Sequence, residues 1–194
     1  MFSRITPVVK NLIIINIVVY LAQRIVGQEV TAFLSLWPVG TEYFQPYQLF
    51  TYMFVHDPSG IMHILFNMLM LFFIGPILET YWGPKKFLAF YVISGIGGAL
   101  FNIGAGLLFG GAAGIMLGAS GAIYGVLMGF GVTFPNMEVM LLIPPIPIKA
   151  KYLVFVMGGL TYMMDRSGSV AHLAHLGGAV VGFLIILYWR NTGR

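Results

Sequence analysis

The side chains able to do chemistry lie in stretches that are otherwise apolar. Ser120 sits between glycines in Gly118-Ala119-Ser120-Gly121, where a glycine-rich stretch passes into a predicted helix. Free backbone N–H groups and the helix dipole favour negative charge at such a position. His175 lies in Ala174-His175-Leu176-Gly177-Gly178 and is the natural general base for a serine nucleophile. His63 and Asn67 are spaced i, i+4 on one helix face, a pair of donors suited to a developing oxyanion. Tyr124 is one turn from Ser120 on the same face, where its ring could stack on the imidazole. Each residue also has a plainer reading: His63 and Asn67 as interhelical hydrogen-bond donors, Ser120 as one small residue in a packing seam. The soluble-hydrolase motif GxSxG is absent, because Ala122 stands where its second glycine would be. Asp165 is ten residues before His175 and is not expected to bond it, which leaves a two-residue Ser/His device. His172 could pair with His175 at i, i+3 around a metal. However, the chain has no HExxH and no carboxylate within these two spans, so neither metal nor cofactor is expected.

What must position these residues is a membrane bundle. Of 194 residues, 59% are hydrophobic and 8% charged, against about 25% charged in an ordinary globular protein. Mean hydropathy is +0.91. There is too little polar side chain to coat a water-facing surface, which excludes a soluble enzyme, a disordered chain and a nucleic-acid binder. With no cysteine, a disulfide framework, a thiolate nucleophile and a Cys-ligated metal are excluded as well. A spanning helix needs about 20 mainly apolar residues. Such segments run from Val8 to Val26, Ser59 to Leu78, Ile148 to Met164 and Val170 to Trp189. The charge-free stretch from Phe87 to Met137 is long enough for two more, with Gly104 to Gly121 as the turn between them. The expectation is six helices in a single domain over 1–194, with no soluble appendage. The N-terminal segment reads as a retained first span, since it lacks a small-residue cleavage site.

Six spans put both termini on one side. Arg4, Lys10, Lys85, Lys86, Lys149, Lys151, Arg190 and Arg194 fall on that side, and only Arg24 and Arg166 on the other. This positive-inside bias makes the termini cytoplasmic. The net charge of +4 is therefore read as membrane orientation rather than affinity for nucleic acid. Glu29, Glu42, Asp57 and Asp165 lie outside, as does the connection from Gly27 to Pro58. Its Trp37, Tyr43, Phe44, Tyr47 and Phe50 suggest an amphipathic, partly helical segment lying in the interface. Spans two, four and six all enter from outside, so His63, Ser120 and His175 share one depth in the outer leaflet. Two glycine seams, Gly121-Gly125-Gly129 and Gly178-Gly182, could draw spans four and six together and carry Ser120 toward His175.

These residues resemble the rhomboid intramembrane serine proteases. The resemblance rests on His63-Ile-Leu-Phe-Asn67, on Gly118-Ala-Ser120-Gly121 with Tyr124, and on Ala174-His175-Leu-Gly-Gly178 with Gly182. It covers nearly the whole chain and looks most like the minimal six-span bacterial form, with a long external loop between helices 1 and 2. It implies Ser120 as nucleophile and His175 as base. His63, Asn67 and the Ser120 N–H would form the oxyanion hole, and Tyr124 would support the imidazole. Gly118 would keep the approach to the serine open. The family's first external loop usually carries a Trp-Arg pair; here that stretch reads Pro46-Tyr47-Gln48.

The expected function is then endoproteolysis of transmembrane segments of membrane proteins, near the outer leaflet of a bacterial inner membrane. The substrate helix would enter from lipid between spans two and five, unwound locally, with a small residue before the scissile bond. The loop around Asp165, Arg166 and Ser167 would act as a movable cap. The rival reading is a non-catalytic helix-binding protein or small transporter using the same polar cluster. Against transport stand the lack of an inverted repeat and of an intramembrane carboxylate to couple ions.

Overall fold

The computed structural model describes residues 5–109, 114–141, 145–165 and 171–193. Helix α1 (Pro7–Val26) opens with proline at a position where a missing N–H costs nothing, since that donor has no intrahelical partner. Its next donors are satisfied from a distant part of the chain. The Glu79 carboxylate of α4 (Met62–Trp82) accepts the N–H groups of Val8 (3.0 Å) and Val9 (2.9 Å) and the Thr6 hydroxyl (2.5 Å). Glu79 is buried, and three donors plus the positive end of the α1 dipole offset the cost of burying it.

The connection from α1 to α4 contains α2 (Gln28–Leu34), α3 (Gln48–Thr51) and a 3-10 turn at Tyr52–Phe54. Two amides hold it. Gln23 brackets the His56 backbone, donating to its carbonyl (2.8 Å) and accepting its N–H (3.1 Å). Buried Gln48 accepts the N–H groups of Trp37 (3.3 Å) and Gln45 (3.1 Å) and donates to the Tyr43 carbonyl (3.1 Å). Tyr47 packs on Phe33 with ring centroids 5.3 Å apart, and its hydroxyl donates to the Phe33 carbonyl (3.2 Å). Tyr47 and Gln48 thus anchor the segment where the family pattern has Trp-Arg. Phe33, Tyr43, Tyr47 and Phe50 remain exposed along it.

Beyond α4 come α5 (Pro84–Phe109), α6 (Ser120–Thr133), a two-stranded antiparallel hairpin of β1 (Glu138–Met140) and β2 (Pro147–Lys149), α7 (Ala150–Met164) and α8 (His172–Asn191). Two expectations are corrected here. The turn expected from Gly104 does not begin there, because α5 continues through Gly104 and Gly106 to Phe109. Backbone polar groups in an apolar surrounding need intrahelical partners, which holds glycine in a membrane helix. The apolar segment expected from Ile148 begins instead with Ala150, and Ile148 pairs with Val139 in the hairpin. Pro145 and Pro147, two residues apart, each remove a backbone donor and disfavour helix, and the chain is extended into the hairpin there.

Among the described residues four helices, α1, α4, α5 and α8, are long and apolar enough to cross a membrane. Helices α6 and α7 are apolar but shorter, at 14 and 15 residues. Large apolar side chains such as Ile25, Leu107 and Phe109 point outward, as lipid contact allows and water does not.

Helix α8 packs against both α5 and α6 through small residues. A Cβ at Gly178 would collide with the Gly121 carbonyl oxygen, and one at Gly182 would lie 3.0 Å from the Gly125 Cα. One at Gly98 would lie 2.7 Å from the Ala174 carbonyl oxygen. Without a hydrophobic drive between helices in lipid, such backbone-to-backbone contact is a main source of association.

Candidate active site

The segment entering α6 is pinned from behind. Met116 exchanges backbone hydrogen bonds with Leu36 (2.8 and 2.9 Å), and the Gly118 N–H donates to the Tyr52 carbonyl (3.0 Å). Gly118 has φ +119°, a conformation that side chains strain. Ser120 follows as the first residue of α6. On α8, held at backbone contact by the glycine seam, His175 is buried. Its Nε2 lies 2.7 Å from Ser120 Oγ, a hydrogen bond between side chains 55 residues apart.

The Tyr124 ring stacks on the His175 imidazole, with centroids 4.3 Å apart and planes 10° from parallel. On the other side of Ser120, a Cβ at Gly118 would lie 2.9 Å from His63 Nε2 and 3.7 Å from Ser120 Oγ. Those two atoms therefore border one small space, which only glycine leaves open. His63 Nδ1 accepts the Asp57 N–H (3.3 Å), which puts the ring proton on Nε2, facing that space. Asn67 is one turn along α4 and donates to the His63 carbonyl (2.7 Å), leaving its second N–H for another acceptor. The arrangement offers a hydroxyl, a neighbouring imidazole and donors beside them, the parts an acyl-transfer site requires.

Other residues fall elsewhere. His172 Nε2 pairs with Asp165 Oδ2 at 3.0 Å, and its ring lies edge-on to His175 with centroids 6.1 Å apart. No group of three or more metal-ligating side chains occurs among the described residues. Arg166 and Ser167, named above in a cap, lie outside the described residues, as do Arg4 and Arg194. Asn102 donates to the Met116 sulfur (2.9 Å) and so supports the segment leading to Ser120.

Two further residues lie near the site: His56, which from its place ahead of the second span reads as interfacial or structural, and Thr161, which escaped the sequence reading. Buried His56 lies edge-on against His63, centroids 5.0 Å apart; burial and the neighbouring His63 push its imidazole down to about 3. Thr161 of α7 meets the Tyr124 hydroxyl at 2.9 Å. The usable signal for Thr161 was slight, a single threonine in an apolar helix.

The rhomboid domain matches residues 43–192, more than three-quarters of the chain and every element of this site. The chain belongs to the rhomboid family. Over 125 residues it is 38% identical to Rhomboid protein 1, mitochondrial, of Saccharomyces cerevisiae, covering 63% of this chain and 36% of that protein. Over 197 residues it is 29% identical to the rhomboid protease GlpG of Serratia proteamaculans, covering 99% of this chain and 66% of that one. The GlpG of Yersinia pestis is 26% identical over 199 residues, again 99% against 66%. The chain thus spans about a third of the yeast relative and just under two-thirds of the bacterial ones. As a rhomboid with four helices of spanning length, it is an integral membrane protein.

Proposed function

We propose that this rhomboid is an intramembrane serine endopeptidase that cuts transmembrane segments of other membrane proteins. The observation that carries the reading is the 2.7 Å contact between Ser120 Oγ and His175 Nε2. His175 Nε2 takes the hydroxyl proton as Oγ adds to the scissile carbonyl. The carbonyl oxygen, now negative, is met by His63 Nε2–H, Asn67 Nδ2–H and the Ser120 N–H at the helix start. The intermediate collapses, the C–N bond breaks, and the leaving amine takes the proton from His175. A water then gives its proton to the imidazole and attacks the acyl-enzyme; the proton returns to Oγ as the ester bond breaks. Tyr124 holds the imidazole plane, and Gly118, Gly121 and Gly178 keep the backbones close enough for the device to form. No cofactor is needed.

A six-span arrangement accompanies this reading, with α6 and α7 crossing where the bundle is thinner, both termini cytoplasmic and the site in the outer leaflet of a bacterial inner membrane. The positive-inside distribution of lysine and arginine supports it. The substrate helix enters from lipid between α4 and α7, and must be unwound because a helical carbonyl is already engaged. Helix-breaking residues in the substrate promote cleavage, and a small residue precedes the cut. The relatives named proteases support the same reading.

The test is labelling by a fluorophosphonate in detergent. Label should enter the native protein and vanish in both Ser120→Ala and His175→Ala, with cleavage of a single-span substrate lost in parallel, by roughly 10⁴-fold or more. Label persisting in Ser120→Ala rejects the nucleophile. A folded protein that binds single-span helices but neither labels nor cuts them would instead be the binding protein of the rival reading.

A further inference from the structure

Thr161 lies beyond the buried first two turns of α7, yet it touches the group on which the base rests. Its hydroxyl donates to the Met157 carbonyl one turn earlier, at 2.9 Å. With its only proton committed, the oxygen can face Tyr124 only as an acceptor, so the 2.9 Å contact is Tyr124 O–H donating to Thr161. The phenol is therefore held at both ends, by its backbone on α6 and by its hydroxyl on α7. Gly158, one turn from Thr161 on α7, presents no side chain to the ring: a Cβ built there would only reach ordinary van der Waals contact, 3.8 Å from Tyr124 Cε1, so on this side the hydroxyl bond ties the ring to α7.

A ring tethered at its hydroxyl cannot swing about Cα–Cβ without breaking the hydrogen bond, because the phenol oxygen moves farthest in that motion. The imidazole of His175 lies 10° from parallel to that ring. A swing of the phenol would therefore shift the surface on which the base is stacked, and Nε2 sits 2.7 Å from the hydroxyl it must deprotonate. Misplacing reacting atoms by an ångström is costly in rate.

We propose that Thr161 is a positioning residue for the Ser120–His175 pair, acting through Tyr124. It makes the reactivity of the base depend on where α7 sits. This rests on the proteolytic reading above and names a residue that reading does not use. Loss of the hydroxyl acceptor leaves the Tyr124 O–H without its partner in a part-buried place and frees the ring. At this end of α7 the side chains of Tyr162, Met163 and Met164 are all more than 70% exposed, so Thr161 is the residue there that reaches α6.

The experiment uses the full chain in detergent, with a fluorogenic single-span substrate and fluorophosphonate labelling as two readouts. Thr161→Val, nearly the same shape, should lower kcat and labelling rate roughly three- to tenfold, the range a lost hydrogen bond spans. KM and the thermal midpoint should hold. Thr161→Ser, which keeps the hydroxyl, should restore the rate. Tyr124→Phe removes the same bond from the other side and should give a similar loss, and the double variant should fall no further than either single one. Should Thr161→Val fail to fold, the comparison of Tyr124→Phe with Tyr124→Phe/Thr161→Ser, expected equal, carries the test. A Thr161→Val protein at the native rate, or a double variant whose losses multiply, overturns the inference. Labelling that survives Ser120→Ala would instead strike the proteolytic reading itself, so the two failures are distinguishable.

Discussion

Helices α7 and α8 border the same site, and they are held in opposite ways. Helix α8 meets α5 and α6 at backbone contact: a Cβ at Gly178 would collide with the Gly121 carbonyl oxygen, and one at Gly182 would lie 3.0 Å from Gly125 Cα. Helix α7 buries only Ala150, Leu153 and Val154, all in its first two turns. Farther along it is tied by side-chain hydrogen bonds, from Thr161 to Tyr124 and from Asp165 to His172. Ser120 and His175 are thus mounted on the helices that cannot shift without a collision, and the adjoining wall, past its first two turns, is tied by polar contacts. A site that must keep two atoms in register while admitting a bulky chain benefits from that division.

The same substitution made on each side tests the difference most directly. Gly178→Ala should drive α8 away from α6, because the added methyl meets backbone that cannot rotate aside. The expected cost is roughly 1–3 kcal/mol, with cleavage reduced more than tenfold as Ser120 and His175 part. Thermal unfolding and the cleavage rate check it; a Gly178→Ala protein as stable and active as the native one would abolish the contrast. Acid probes a third place, the buried connection ahead of α4, less sharply. The buried His56 imidazole, held near 3 against an ordinary 6.5, takes up a proton in the unfolded chain well before it does in the folded one. Its contribution to stability is therefore complete above about pH 6.5 and declines as pH falls toward 3. Thermal midpoints measured from pH 7 to pH 4 should drop, and the slope should flatten in His56→Gln. On α7, Gly158→Ala meets only ordinary contact at 3.8 Å. It should be neutral or stabilising by up to about 1 kcal/mol from helix propensity. Met163→Ala, at 79% exposure, should move the thermal midpoint least, within about 0.5 kcal/mol.

The meeting of Ser120 and His175 is legible in the sequence because two four-residue glycine periods point to close backbones, and each carries one polar residue near its start. His63 is legible for the same economy, a polar group in a stretch that tolerates few. What is not legible has a common physical origin. Glycine breaks helices in water but not where backbone groups lack other partners, so the run of α5 past Gly104 was hidden. The hairpin follows from prolines that hydropathy counts as merely apolar. Gln48 replaces an expected arginine with a neutral amide whose three hydrogen bonds all go to backbone, and no side-chain pairing rule points to them. Thr161 looks like any threonine bonding its own helix until the partner 37 residues away is brought beside it.

The Glu79 clasp on α1 bears on the order in which the bundle assembles. Helix α1, which leaves the ribosome before α4, finds the acceptor for its leading amides only 70 and 71 residues later. Until the end of α4 has been translated, α1 can sit in lipid but its start lacks the carboxylate it closes upon. Docking of the start of α1 therefore waits on α4 rather than on its own insertion.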